Sequence, residues 1–200
     1  MAASARKQRE TEALRQQVLD KAEEIFVQEG IERVTMRRIA ASVDYAPTVL
    51  YRLFANKADL TDHLIARGYN GVREYYETAL QQNDPDPKVK LKNILSAYVD
   101  YALSHPNHYR MWFETGSARL EGQQLRMTHG RLQFIVYQVW LDSIEACRLK
   151  GLFAGWDTLA VFQVFWSRVH GLISLRLQHP EIPWMPIAQH LDSVLSLNSK

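Results

Sequence analysis

The chain has 200 residues, enough for one large or two small domains, and its 46% apolar and 10% aromatic content excludes a disordered polymer. A formal net charge of +2 excludes a strong global field for nucleic acid, so attraction to an anionic partner must be local. Cys147 is the single cysteine, which excludes an internal disulfide and a cysteine-rich zinc site. There is no apolar h-region and no apolar run of about eighteen residues, which predicts a cytoplasmic chain with neither signal peptide nor membrane contact.

Arg6, Lys7 and Arg9 fall in an N-terminal segment that reads as a disordered arm. It is either a solvated tail or a cationic arm for a phosphate or the minor groove. A first helix is predicted from about Thr11 to Glu29, where Leu14, Val18, Ala22, Ile25 and Phe26 recur at helical spacing. Gly30 closes it, because glycine accepts the left-handed backbone that ends helices.

Thr35 to Lys57 is the most informative stretch. Met36, Ile39, Ala40 and Val43 share one helical face, and Val49, Leu50, Leu53 and Phe54 share another. Asp44 and Tyr45 interrupt the first pattern, and Pro47 suits the first turn of a new helix. Two helices this short must lean on a longer one, which is the helix-turn-helix plan for placing a helix in the major groove of double-stranded DNA. Between Ile31 and Lys57 there are five cations (Arg33, Arg37, Arg38, Arg52 and Lys57) against Glu32 and Asp44, which supplies the local positive charge.

Asn56 is placed to cap a fourth helix running towards Leu80, with Asp59 in its first turn. The breaker cluster Asn83-Asp84-Pro85-Asp86-Pro87 follows. Beyond it, helices are predicted over 88–104, from Pro106 through Phe113, over about 118–150, over 156–178 and over 186–197. No period-2 alternation bounded by hairpin turns appears, so the predicted class is all-α, with an N-terminal helix-turn-helix domain and a larger helical C-terminal domain.

The apolar residues of the 156–178 helix sweep an arc of roughly 220°, about twice what a surface helix needs. Such a helix is either wrapped within one subunit or shared with a second copy. On the second reading Phe162, Phe165, Val169, Ile173 and Arg176, with Leu191, Val194 and Leu195 from the last helix, form a homodimer interface. Aromatic side chains concentrate in the same half. Trp112, Phe113, Tyr137, Trp140, Trp166 and His170 are candidates for walls and polar handles of a small-molecule pocket; ordinary core packing is the alternative. His105 and His108 are three apart with Pro106 between them and no completing ligand nearby, so no metal site is expected.

Residues 11–70 resemble the DNA-binding domain of the tetracycline-repressor (TetR) family. The matching elements are Ala22, Phe26, Gly30, Thr35, Ile39-Ala40, Leu50-Tyr51, Phe54, Lys57 and Leu60 at the family's spacing. The resemblance implies a DNA-binding domain over 11–71, with the helix-turn-helix at about 35–54 and residues 47–53 as recognition helix. It also implies a ligand-binding and dimerisation domain over 72–200, a homodimer on a palindromic operator, and a small-molecule effector with no fixed cofactor. Trp166, His170 and Gly171 resemble a Trp…His-Gly segment of one C-terminal subgroup.

Thr35 can cap its helix and hold a phosphate oxygen at once. Tyr51 and Lys57 match family positions that contact the DNA backbone, while Arg37 and Arg38 are either DNA contacts or solvated arginines. Base reading falls to Tyr45, Ala46, Pro47, Thr48 and Arg52. Asp44 in place of a turn glycine, Ala46 in place of a hydroxyl cap and Leu53 in place of a frequent histidine depart from the family pattern. No phosphate loop, nucleophile elbow or acid–base pair favours an enzyme. A helical protein-interaction or small-molecule-binding module without regulatory DNA binding is the remaining alternative.

Overall fold

The computed structural model describes residues 2–82, 84–113 and 123–196, with side chains over 5–82, 84–113 and 136–196. Among the described residues the chain is all-α, without strands. It divides into two compact units, Met1–Gly68 with Asn107–His129, and Tyr69–Pro106 with Gly130–Lys200.

In the first unit, α1 (Ala2–Glu29) starts well before the predicted Thr11. The expected disordered arm is therefore corrected to helix. Residues 2–10 contain no Gly or Pro, the Arg6 guanidinium pairs with Glu10 one turn on at 2.7 Å, and the Thr11 hydroxyl donates to the Lys7 carbonyl at 2.9 Å. Gly30 ends α1 with φ 86° and ψ 168°, a region open to glycine, while its N–H donates to the Phe26 carbonyl at 2.9 Å.

A single 3-10 turn (Ile31–Arg33) leads to α2 (Met36–Ser42) and α3 (Pro47–Leu53). α4 (Lys57–Leu80) follows. Asn56 Oδ1 accepts from the Asp59 N–H at 2.9 Å, and Asp59 Oδ2 accepts from the Ala55 N–H at 2.8 Å, closing a reciprocal cap. Val18, Ala22, Phe26, Ile39, Leu50, Phe54, Leu60 and Leu64 form the core that holds the two short helices against α1 and the start of α4.

α6 (Pro106–Phe113) joins this unit from Asn107 onward. His108 is buried, stacks on Phe26 at 5.4 Å and places Nε2 3.3 Å from the Glu23 carboxylate. Glu23 also accepts from Arg67 at 2.8 Å, and Arg67 reaches Asp20 at 2.8 Å and Gln16 at 2.9 Å. The hydrogen bond to His108, with that to Arg67, outweighs burial and lowers the Glu23 pKa to about 2.

The second unit contains α5 (Pro87–Ser104), most of α7 (Gln123–Leu149), α8 (Thr158–Gln178) and α9 (Ile187–Leu195). The predicted start of the long helix near Ala118, the breaker Asn83 and the predicted end at Leu197 lie outside the described residues. Asp86 caps α5 and Asp157 caps α8, accepting from the Lys88 and Ala160 N–H groups at 2.8 and 2.7 Å. α5 packs against both α8 and α9.

That packing accounts for part of the apolar stripe expected at a dimer interface. Phe165, Val169, Ile173, Leu191, Val194 and Leu195 are all buried within this unit. On α8 the buried stripe is Val161, Phe165, Val169, Leu172 and Ile173, while Leu159 and Leu175 are exposed and Phe162, Val164, Trp166 and Leu177 are half-buried. Arg176 is also spent at home: it donates to the Met185 carbonyl and lies 5.9 Å from the Trp184 ring, bracing the α8–α9 connection. Of the eight expected residues only Phe162 keeps a half-exposed apolar side chain on α8.

Candidate nucleic-acid interface

The turn between α2 and α3 is built by Asp44, whose φ of 58° places it in the left-handed region. The Tyr45 N–H then reaches back to the Ala40 carbonyl at 3.0 Å, and the Val43 N–H to Ile39 at 3.2 Å. These bonds satisfy the last carbonyls of α2 and turn the chain sharply before Pro47. Ala46 occupies the N-cap of α3 with no side-chain hydrogen bond, so the fixed φ of Pro47 does the work that a hydroxyl cap would otherwise share.

α3 has two distinct sides. Leu50 is completely buried, with Val49 and Leu53 half-buried beside it. Thr48, Tyr51 and Arg52 are exposed, and Tyr51 presents 54% of its surface to solvent. Tyr45 and Ala46 in the preceding turn are also exposed, Tyr45 by 45%, and Pro47 is half-buried. The structure thus brings Tyr45, Ala46, Thr48, Tyr51 and Arg52 to one outward-facing turn and helix.

Thr35 caps α2, its hydroxyl oxygen accepting from the Arg38 N–H at 3.3 Å. The N–H groups of Met36 and Arg37 have no acceptor inside the helix. Arg37 and Arg52 are exposed and, among the described residues, have no ion-pair partner. Arg38 is committed differently: its guanidinium grips the Glu29 carboxylate through both nitrogens, one bond at 2.9 Å, and pins α2 to the end of α1. That contact holds the Glu29 carboxyl below its usual range. Lys57 donates from Nζ to the Ile31 carbonyl at 3.0 Å, which leaves two of its three N–H groups for another acceptor.

Several bracing residues have no local signal in the sequence. Arg15 of α1 donates to the Leu53 carbonyl at 2.9 Å, capping the end of α3, lies 4.6 Å over the Phe54 ring and meets His63 at 2.5 Å. The partners are 38 to 48 positions away, beyond any periodicity argument. Glu23 and Arg67, paired across 44 positions, belong to the same class.

The six candidate ligand residues do not converge on one pocket within either unit. Trp112 and Phe113 sit in the first unit, Tyr137, Trp140, Trp166 and His170 in the second. Trp140 is a core residue, fully buried and donating to the Tyr76 hydroxyl at 2.7 Å. Tyr137, Phe162 and Trp166 pack edge to face and line a shallow groove of about 330 Å³ with Gln163 and Ser167. His170 stacks on Trp166 at 4.4 Å, lies 3.3 Å from the Tyr98 hydroxyl, and is pushed down to a pKa of about 4 by burial. Among the described residues, no group of three or more His, Cys, Asp or Glu side chains is arranged to hold a metal ion, and no helix is long and apolar enough to cross a membrane.

Comparison with known proteins agrees with this architecture. Residues 18–64 match the family described as bacterial regulatory proteins, tetR family, and residues 91–192 match the tetracyclin repressor-like C-terminal domain. An HTH-type transcriptional regulator of Staphylococcus aureus is 38% identical over 89 residues, covering 43% of this chain and 48% of the relative. The HTH-type transcriptional regulator LuxR of Vibrio harveyi is 26% identical over 136 residues, covering 66% of this chain and 64% of the relative. The matches therefore span about half to two thirds of those proteins. The crystal structure of the TetR family regulator PfmR from Thermus thermophilus shares the fold, with a TM-score of 0.70 at 19% identity over 92% of this chain and 99% of that one. On these matches the chain belongs to the tetR family of bacterial regulatory proteins, DNA-binding transcriptional regulators rather than enzymes.

Proposed function

We propose that the chain is a ligand-responsive repressor of the cytoplasm that binds a palindromic operator as a homodimer. The observation that carries this reading is the division of α3, with Leu50 sealed in the core and Tyr51 and Arg52 standing out beside Thr48. Laid in a major groove, that outer side presents a hydroxyl, a phenol and a guanidinium. Arg52 suits the paired acceptors of guanine, and Thr48 and Ala46 suit a thymine methyl. Thr35, Tyr51 and Lys57 hold phosphates and set orientation, with Arg37 adding a mobile cation. Arg38 acts through Glu29 by fixing the angle of α2 rather than by touching DNA.

Effector binding belongs to the helical C-terminal domain, where the Tyr137, Trp166 and His170 cluster offers stacking surface and one polar handle. α4 contributes residues to both compact units. An effector that displaces α4 changes the separation of the two reading heads and releases DNA, and a coupling of about 1–3 kcal/mol is sufficient. The dimer would use surface other than the buried stripe of α8 and α9.

Selection of bound duplexes from a random pool at one stated salt concentration tests the reading. Enriched sequences should share an inverted repeat with half-sites about one helical turn apart. Enrichment of no motif, in the absence of any effector, would remove the repressor reading.

A further inference from the structure

The end of α1, the turn at Gly30 and α6 line a partly open cavity of about 390 Å³ within the first unit. That volume lies in the range of small-molecule pockets. Its floor is apolar: Phe26 and Met111 are buried, and Ile31 is half-buried. Its rim is polar and unevenly committed. Glu29 has both carboxylate oxygens taken by Arg38, and the Asn107 side-chain amide donates to the Val27 carbonyl. Arg110 also lines the cavity, is exposed, and among the described residues has no hydrogen-bond or ion-pair partner. The uncommitted charge facing the space is therefore a guanidinium.

We propose that this cavity is a binding site for small carboxylates with a compact apolar body. The body, a ring or short chain, rests on Phe26, Ile31 and Met111, and the carboxylate pairs with Arg110 in the fork geometry that guanidinium favours. The carbonyl end of α1 repels anions, so the carboxylate takes the α6 side of the cavity. Two walls of the site also carry the bracing of the reading head. Glu29 holds Arg38, and the Ile31 carbonyl accepts from Lys57 at 3.0 Å. A guest pressing on Ile31 loosens both braces and weakens DNA binding without acting through the C-terminal domain. The binding site stands on the cavity alone; only its effect on DNA rests on the operator reading.

Calorimetric titration of the full chain, without DNA, tests the site with three probes of similar size that share a benzyl body: phenylacetate, the neutral phenylacetamide and the cationic phenethylamine. Phenylacetate should bind saturably, with the amide and the amine each weaker by at least about tenfold. Arg110→Gln, a surface change, should weaken phenylacetate by at least about tenfold while leaving helicity and Tm unchanged. Met111→Trp, which fills the floor, should abolish binding. No saturable heat with phenylacetate, an amine that binds as well, or an Arg110→Gln variant that binds normally would overturn the site. Phenylacetate should also weaken operator binding several-fold in the wild type and not in Arg110→Gln. Normal phenylacetate binding with unchanged DNA affinity would overturn the coupling. A wild type that selects no operator would instead defeat the reading of α3 and leave the cavity judged by calorimetry.

Discussion

Lys57, the first residue of α4, donates its ammonium to the carbonyl of Ile31, 26 positions earlier, at 3.0 Å. The bond ties the link between α1 and α2 to the start of α4, on the side where the remaining two N–H groups of the ammonium are free to meet a phosphate. Replacing Lys57 by alanine should cost about 1 kcal/mol of stability from the lost hydrogen bond. It should also weaken DNA binding to a similar degree on all sequences, lowering the salt slope by about one. Denaturant unfolding and binding isotherms at several salt concentrations measure the two effects separately.

Arg38 and Glu29 form a closed pair, so the role of Arg38 is testable by a double-mutant cycle. If Arg38 acts only as a brace, Arg38→Ala and Glu29→Gln should weaken operator binding equally, and the double variant no further than either single. A much larger loss for Arg38→Ala alone would place its guanidinium on the DNA.

Gly68 lies under the ring of Trp112, where an added Cβ would sit 2.7 Å from Cζ2. Three residues on, a Cβ at Gly71 would sit 2.6 Å from the Tyr101 ring. Gly68→Ala should therefore destabilise the chain by about 1–2 kcal/mol, the overpacking penalty exceeding the gain in helix propensity. Trp112→Leu in the same background should recover most of it. Thermal unfolding of the two variants decides this, and a stabilised Gly68→Ala would show that α6 does not seat closely on α4.

Stability should fall on acidification in two windows. His170 has its folded pKa pushed down to about 4, so between about 6.5 and 4 the unfolded chain binds a proton that the folded chain refuses, and stability drops as pH falls. Glu23 is held at about 2, so its stabilisation is present above its ordinary value near 4.5 and is lost as pH falls towards 2. Each contributes on the order of 2 kcal/mol over its window. His170→Gln should flatten the upper window and Glu23→Gln the lower one in urea unfolding from pH 7 to 3.

The helix-turn-helix was legible because its information is local. Apolar spacing at Met36, Ile39 and Ala40 reports the buried face of α2, and Leu50 with its neighbours that of α3, Pro47 marks a helix start, and Asp44 tolerates the left-handed angle the turn requires. The wide apolar arc of α8 was less legible for an equally physical reason. An apolar arc records how much of α8 is buried, not by what, and α5 and α9 bury Phe165, Val169 and Ile173 within the same chain. Arg15, Glu23 and Arg67 escaped notice because their partners lie 38 to 51 residues away. Charges spaced along one helix read as a solvated face until the fold brings their partners beside them. The N-terminal segment was read from its charge alone, although its strong helix formers favour continuing α1.

The exposed side of α3 is tested most directly by equilibrium binding of the wild type and of a Thr48→Ala, Tyr51→Ala, Arg52→Ala variant to the selected operator, at one salt concentration and with helicity checked. The account predicts a loss of specific affinity of at least about a hundredfold, leaving only non-specific binding. A folded variant that binds its operator as tightly as the wild type would contradict it.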